Sequence, residues 1–279
     1  MVSICTPNKY HFQYVIEALE NGCHVFCEKP PSISANEAKQ MYECAQKNER
    51  ILAYNFQHRF SDEALTLRQS FSDRILGDVY HTKVSALRRS GVPGWGNFIN
   101  KEMQGGGPLI DIGIHMLDSA LFILGFPEVS KVTAKMFQKI GPYKSEGTFG
   151  KWDSSKYEVE DSLFGFIELK DGGLIQIETS FALQMKPKSV MNIQFFGDQA
   201  GATLYPVEIF TDDKGRLVSL YKQEESKEIN TSERSIHSFV NHCLGDHSET
   251  IATGLQGYQI QKLIESLYIS AETGESVYL

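Results

Sequence analysis

Apolar residues recur at helical spacing through Leu109, Ile110, Ile112, Met116, Leu117, Leu121, Phe122 and Leu124 and stop at Gly125, which predicts a buried helix with a glycine end. Gly105-Gly106-Gly107-Pro108 gives it a flexible entry. Toward the N-terminus the spacing changes. Residues 1 to 5 read as a short buried strand, Thr6-Pro7-Asn8 as a turn, His11 to Asn21 as an amphipathic helix closed by Gly22, and Cys23 to Cys27 as a second strand. A strand, helix and strand in such quick succession predict a parallel pair with a right-handed crossover. Ser34 and Glu37 form a capping-box pattern that opens a helix to Asn48, and Ile51 to Phe56 reads as a third strand.

From about Asp62 the pattern becomes that of a sheet. A helix to Ile75 precedes an alternating strand from Val79 to Leu87 and a loop from Ser90 to Gly107 that contains Gly-Val-Pro-Gly-Trp-Gly. After the central helix, strands are predicted at Val129 to Phe137, Tyr157 to Leu169, Gly173 to Ala182, Val190 to Phe196 and Glu208 to Thr211, parted by turns such as Lys170-Asp171-Gly172-Gly173. Ser232 to Cys243 and Gly254 to Thr273 close the chain as helices. The predicted class is α/β, with a boundary near Phe60 to Asp62. Residues 1–60 form the later half of a doubly wound parallel sheet, and residues 61–279 an α+β domain with a large open mixed or antiparallel sheet. The C-terminal helices have the apolar spacing to pack back on the first domain.

No G-x-G-x-x-G and no Walker-type loop occurs in the 279 residues. At about 30 residues per β-α-β unit, the earlier half of a nucleotide-binding sheet would precede Met1, and the apolar strand Val2 to Cys5 is expected to present an open edge suited to dimerisation or aggregation. With 41% hydrophobic and 22% charged residues, the composition is that of an ordinary soluble globular protein. A net charge of −8 without a basic stripe argues against nucleic acid or an anionic membrane as partner. The absence of a signal-like N-terminus and of a spanning apolar run makes a cytoplasmic location the default. Five scattered cysteines suit reduced thiols better than disulfides. His237, His242, Cys243 and His247 invite a metal reading, but their spacing wraps them around a helix, so no metal site is assigned.

Asp111 and His115 carry the candidate chemistry. At i and i+4 they share one helix face, within reach of each other or of a common ligand, where a carboxylate fixes the tautomer of an imidazole and raises its basicity. The plainer alternative is a core histidine satisfied by Asp111, with Asp118 facing solvent. Two further turns, Thr6-Pro7-Asn8 and Glu28-Lys29-Pro30, lie at the carboxyl ends of neighbouring parallel strands, the place where ligands bind in open α/β sheets. Trp95, in the glycine-rich loop, reads equally as a cover for a ligand face or as a loop anchor.

Thr6-Pro7-Asn8 with His11, the run Ala18 to Gly22, Glu28-Lys29-Pro30, Gly105 to Gly107 through Asp111, Gly113 and His115, Val159-Glu160-Asp161, and the ending Ser270 to Val277 occur in one order along the chain. In that order they resemble the glucose-fructose oxidoreductase / inositol dehydrogenase / rhizopine catabolism (Gfo/Idh/MocA) family. The resemblance implies a Rossmann domain, NAD or NADP as cofactor, a sugar, inositol or related polyol as substrate, and a homo-oligomer, dimer or tetramer, built on the open sheet. It gives Lys29 a contact with the substrate hydroxyl and the nicotinamide ribose, and makes Asp111 and His115 the proton-transferring pair. Thr6, Pro7, Asn8, His11 and Glu28 then lie along the nicotinamide side, with Trp95 at the substrate. The pyrophosphate-binding turn of the family has no counterpart in these residues, which puts cofactor affinity in question. Two other readings stay open: a non-catalytic remnant that binds carbohydrate or pairs with a partner chain, and glycoside hydrolysis by transient oxidation on a held NAD.

Overall fold

The computed structural model describes residues 1–223 and 230–279. Strands β1 (Val2–Ile4) and β2 (Val25–Cys27) flank helix α1 (His11–Glu20), and α2 (Ala35–Lys47) leads to β3 (Leu52–Tyr54). The three strands pair in parallel in the order β1-β2-β3, as the short alternating units predict. Ser34 caps α2 by accepting from the Glu37 amide, so the predicted start of that helix is right to one residue.

Beyond Ser61, which caps α3 (Asp62–Ser72), the chain runs through β4 (Val79–Arg88) and a short α4 (Lys101–Gln104) to a π-helical turn at Leu109–Gly113 continued by α5 (Ile114–Leu124). Next come β5 (Val129–Phe137), the small hairpin β6 (Glu146–Gly147) and β7 (Gly150–Lys151), then β8 (Ser162–Leu169), β9 (Leu174–Ser180), β10 (Ser189–Gly197), β11 (Gly201–Thr203), β12 (Glu208–Asp213) and β13 (Arg216–Lys222). Helices α6 (Thr231–Cys243) and α7 (Gly254–Thr273) and strand β14 (Val277–Tyr278) complete it. Nine of these strands form one mixed sheet in the order β13-β12-β11-β10-β4-β9-β8-β5-β14, with β4 and β9 parallel and the other pairs antiparallel. The predicted class, a small parallel sheet followed by a large mixed one, is the observed class.

One face of the large sheet carries Val84, Ala86, Ile175, Ile177, Leu163, Ile167, Val132 and Ile193, all buried, and α5 lies against it. Gly113 allows the close approach: a Cβ there would sit 2.4 Å from the Thr179 methyl. Helices α6 and α7 fold back on the small sheet, where Phe239 stacks on Phe26 at 5.3 Å and the Tyr54 amide donates to the Ala252 carbonyl at 2.9 Å. Although the stretch Lys101–Leu124 is long and apolar enough to cross a membrane, it is buried in this core.

Several expectations need correction. The strand predicted from Tyr157 begins only at Ser162, because Glu160 and Asp161 spend their carboxylates on backbone amides of neighbouring loops rather than joining a ladder. The loop from Ser90 to Gly107 contains α4, capped by Asn100. Asp118 does not face solvent: it is fully buried and accepts from Arg59 Nε at 2.6 Å and from a second guanidinium nitrogen. Strand β13 escaped prediction because all seven of its residues are exposed, which leaves no alternation to read.

Candidate functional site

The site lies where the carboxyl ends of β1 and β2 meet the start of the central helix. His11, buried at the head of α1, ties the two turns together, with Nδ1 2.7 Å from the Pro30 carbonyl oxygen and Nε2 2.8 Å from that of Thr6. A neutral imidazole donates through only one of these nitrogens, and burial lowers the pKa of the group. The Thr6 hydroxyl is buried without a partner. Asn8 Nδ2 donates to the Gln104 carbonyl at 3.0 Å, which fixes α4 against this turn, and the Pro7 carbonyl accepts from the Tyr10 amide at 2.9 Å. Glu28 accepts from Asn55 Nδ2 at 2.8 Å and from the Lys29 amide at 3.3 Å.

Lys29 reaches across to the central helix. Its Nζ donates to Asp111 Oδ1 at 2.8 Å and to the Asp111 carbonyl oxygen at 2.7 Å, both groups being largely buried. An ammonium has three protons, so this geometry commits two and leaves one for a ligand oxygen. Asp111 and His115 do not hydrogen-bond to each other. The Asp111 carboxylate, set on the π-helical turn of Leu109–Gly113, pairs with Lys29 instead.

His115 Nδ1 is buried and unpartnered, which leaves Nε2 as the ring nitrogen open to a ligand. Its pKa is held well below the usual histidine range, first by burial and then by the charges of Lys29, His58 and Arg88. The His58 ring meets it edge-on at 5.0 Å, with Nδ1 3.3 Å from the Tyr205 hydroxyl, and burial lowers the His58 pKa too. Trp95 is 57% exposed and sits edge-on to Phe149 at 5.9 Å and to Phe98 at 6.1 Å.

Behind these groups lies a supporting layer. Glu160 accepts from the amides of Gly107 at 2.9 Å and Leu109 at 3.2 Å and from the Tyr268 hydroxyl at 2.8 Å, which satisfies the amides at the start of the central helix. Arg59 joins Asp118 to Gln256 Oε1, at 2.6 Å, beneath that helix. His58, Arg88 and Tyr205 carry no spacing or motif that marks them in the sequence. Glu160 stood in a familiar tripeptide, but without a role.

Residues 1–56 match the model of an oxidoreductase family NAD-binding Rossmann fold, and residues 68–279 that of an oxidoreductase family C-terminal alpha/beta domain. It is 52% identical to D-glucoside 3-dehydrogenase of Escherichia coli (strain K12) over 279 residues, spanning all of this chain and 79% of that protein. Levoglucosan dehydrogenase in complex with NADH and L-sorbose superposes with a TM-score of 0.83 at 20% identity, over 99% of this chain and 79% of that one. Aldose-aldose oxidoreductase from Caulobacter crescentus, complexed with glycerol, gives 0.79 at 22% identity, over 100% and 78%.

Proposed function

Because the chain belongs to the Gfo/Idh/MocA family of NAD-binding oxidoreductases, we propose that it oxidises a ring hydroxyl of a hexoside to a ketone, with Lys29, Asp111 and His115 handling the proton. The observation that carries this reading is the Lys29 ammonium, held by two oxygens of Asp111 with one proton to spare, beside an imidazole that burial keeps neutral. The name of the 52% identical relative favours a glucoside as substrate.

The residues present fit the nicotinamide end of a cofactor. An unpartnered buried hydroxyl at Thr6 and the Lys29 ammonium lie at the strand ends, on turns that His11 ties together. Thr6, Pro7, Asn8, Glu28 and Lys29 would hold NAD or NADP there, with His11 fixing the turns. Bound, it supplies the hydride acceptor.

The chain's own groups do the rest. The free Lys29 proton donates to the substrate hydroxyl and stabilises the oxygen as negative charge develops on it. His115 Nε2, neutral at physiological pH, takes the hydroxyl proton. Burial first, and then the neighbouring charges, disfavour the imidazolium, so His115 passes that proton on rather than keeping it. Asp111 orients Lys29. The small and large domains, divided near Phe60 to Asp62, serve cofactor and substrate respectively, and the open large sheet is the proposed surface for homo-oligomerisation.

Product analysis tests the reading. Incubation with methyl β-D-glucoside and NAD or NADP should yield one ketone for each reduced nicotinamide. Release of free glucose without net reduction, or no product with any hexoside or polyol, would overturn it.

A further inference from the structure

The glycine-rich loop after β4 is anchored rather than free. The Gly94 amide donates to the Phe149 carbonyl at 2.9 Å and the Thr148 amide to the Ser90 carbonyl at 2.8 Å, so the β6-β7 hairpin and the loop form one unit. Gly94 has no room for a side chain, since a Cβ would sit 2.6 Å from the Lys151 backbone. On this unit Trp95 and Phe149 meet edge to face, 57% and 38% exposed. Arg88, at the end of β4, lays its guanidinium over the Phe149 ring, 4.9 Å from the centroid.

Arg88 connects this shelf to the site. It lies on the face of β4 that carries Val84 and Ala86, the face against which the Leu109–Gly113 turn and α5 pack. Among the described residues no carboxylate pairs with it, and its hydrogen bond to the Gly91 carbonyl is long, at 3.4 Å. A half-buried guanidinium with unspent donors faces acceptor-rich ligands, and its own stack on Phe149 fixes its plane. Arg88 thus has the central-helix start on one side and the Phe149 ring, with Trp95 against it, on the other.

We infer that Trp95 and Phe149, with Arg88 between them and the reacting groups, form a subsite for the aglycone of a glycoside, binding a ring with an apolar face attached at the anomeric carbon. The inference rests on the hexoside reading above and deepens it by making the preferred substrate a glycoside with a ring-bearing aglycone rather than a free sugar. Arg88 takes hydroxyl or glycosidic oxygens between the two rings. A preformed aromatic shelf adds about tenfold in affinity for a stacked ring, because little is spent on ordering it.

The test is a calorimetric titration, at saturating cofactor, with methyl β-D-glucoside, phenyl β-D-glucoside and cellobiose. Wild-type protein should bind phenyl glucoside, cellobiose or both about tenfold more tightly than methyl glucoside. An advantage for phenyl alone assigns an aryl aglycone, and one for cellobiose alone a glycosyl aglycone. In Trp95→Ala and Phe149→Leu the advantage, read as the ratio of each affinity to that for methyl glucoside in the same variant, should shrink to within twofold. Equal affinities in wild type, or an advantage unchanged in both variants, overturns the subsite. Turnover of methyl glucoside, whose aglycone is too small for the shelf, judges the hexoside reading separately.

Discussion

Replacing Glu160 by Gln tests whether its buried carboxylate holds the start of the central helix in place. Glu160 is 6% exposed and takes three donors: the amides of Gly107 and Leu109 and the Tyr268 hydroxyl. Glutamine keeps the shape but has one acceptor oxygen, so its amide nitrogen points at donors already in place. At least one buried N–H or O–H then loses its partner, at a cost of about 1–3 kcal/mol, with the loss of charge on the remaining bonds adding to it. A net loss of about 2–3 kcal/mol lowers the melting temperature by roughly 4–12 °C for a protein of this size. Thermal unfolding followed by circular dichroism reads this directly. Tyr268→Phe should cost less, since only one of the three donors goes, and the double variant should lose less than the sum because the two residues share a bond. A melting temperature of Glu160→Gln within about 1 °C of wild type would refute the reasoning, because the amides would then need no carboxylate.

Two further predictions concern charge. Asp118→Asn, which leaves Arg59 buried without a counter-charge, should cost about 3–5 kcal/mol in urea unfolding, whereas joint replacement of both residues by apolar ones should recover much of it; a change below about 1 kcal/mol would contradict the buried pair. His11, His58 and His115 all have folded pKa values depressed by burial, so below about pH 6.5 these three groups bind more protons in the unfolded chain than in the folded one, an effect that Asp118, whose carboxyl burial pushes up to about 6, opposes only in part. Stability is thus fully present above that pH and falls as pH drops below it, by up to about 1.4 kcal/mol per pH unit for each histidine. Urea midpoints from pH 7.5 to 5.5 should show the decline, and His58→Asn should flatten it; a flat wild-type profile would refute the assignment.

The central helix, the three N-terminal strands and the long strands of the large sheet were legible because each buries one periodic face, and periodicity is what a sequence displays. The π turn was not legible, since Leu109 to Gly113 reads the same in either helical form, and neither was the pairing of the Asp111 carboxylate with Lys29, 82 positions away in sequence. Asp118 shows the limit again. A carboxylate on an amphipathic helix reads as solvated until Arg59, 59 positions away in sequence, is folded against it. The turns at Thr6 and Glu28 were placed as neighbours by topology alone, and His11 joins them. Arg88 and His58, which shape the electrostatics around His115, come from segments with no local signal.

The most direct test of the account is the turnover number of Lys29→Met beside its cofactor affinity and melting temperature. If the spare ammonium proton serves the reacting oxygen, turnover falls by about 10²–10⁴-fold while the protein stays folded, and the His115→Asn variant falls comparably. A Lys29→Met protein that retains turnover within about threefold of wild type would show that the reaction does not pass through this lysine.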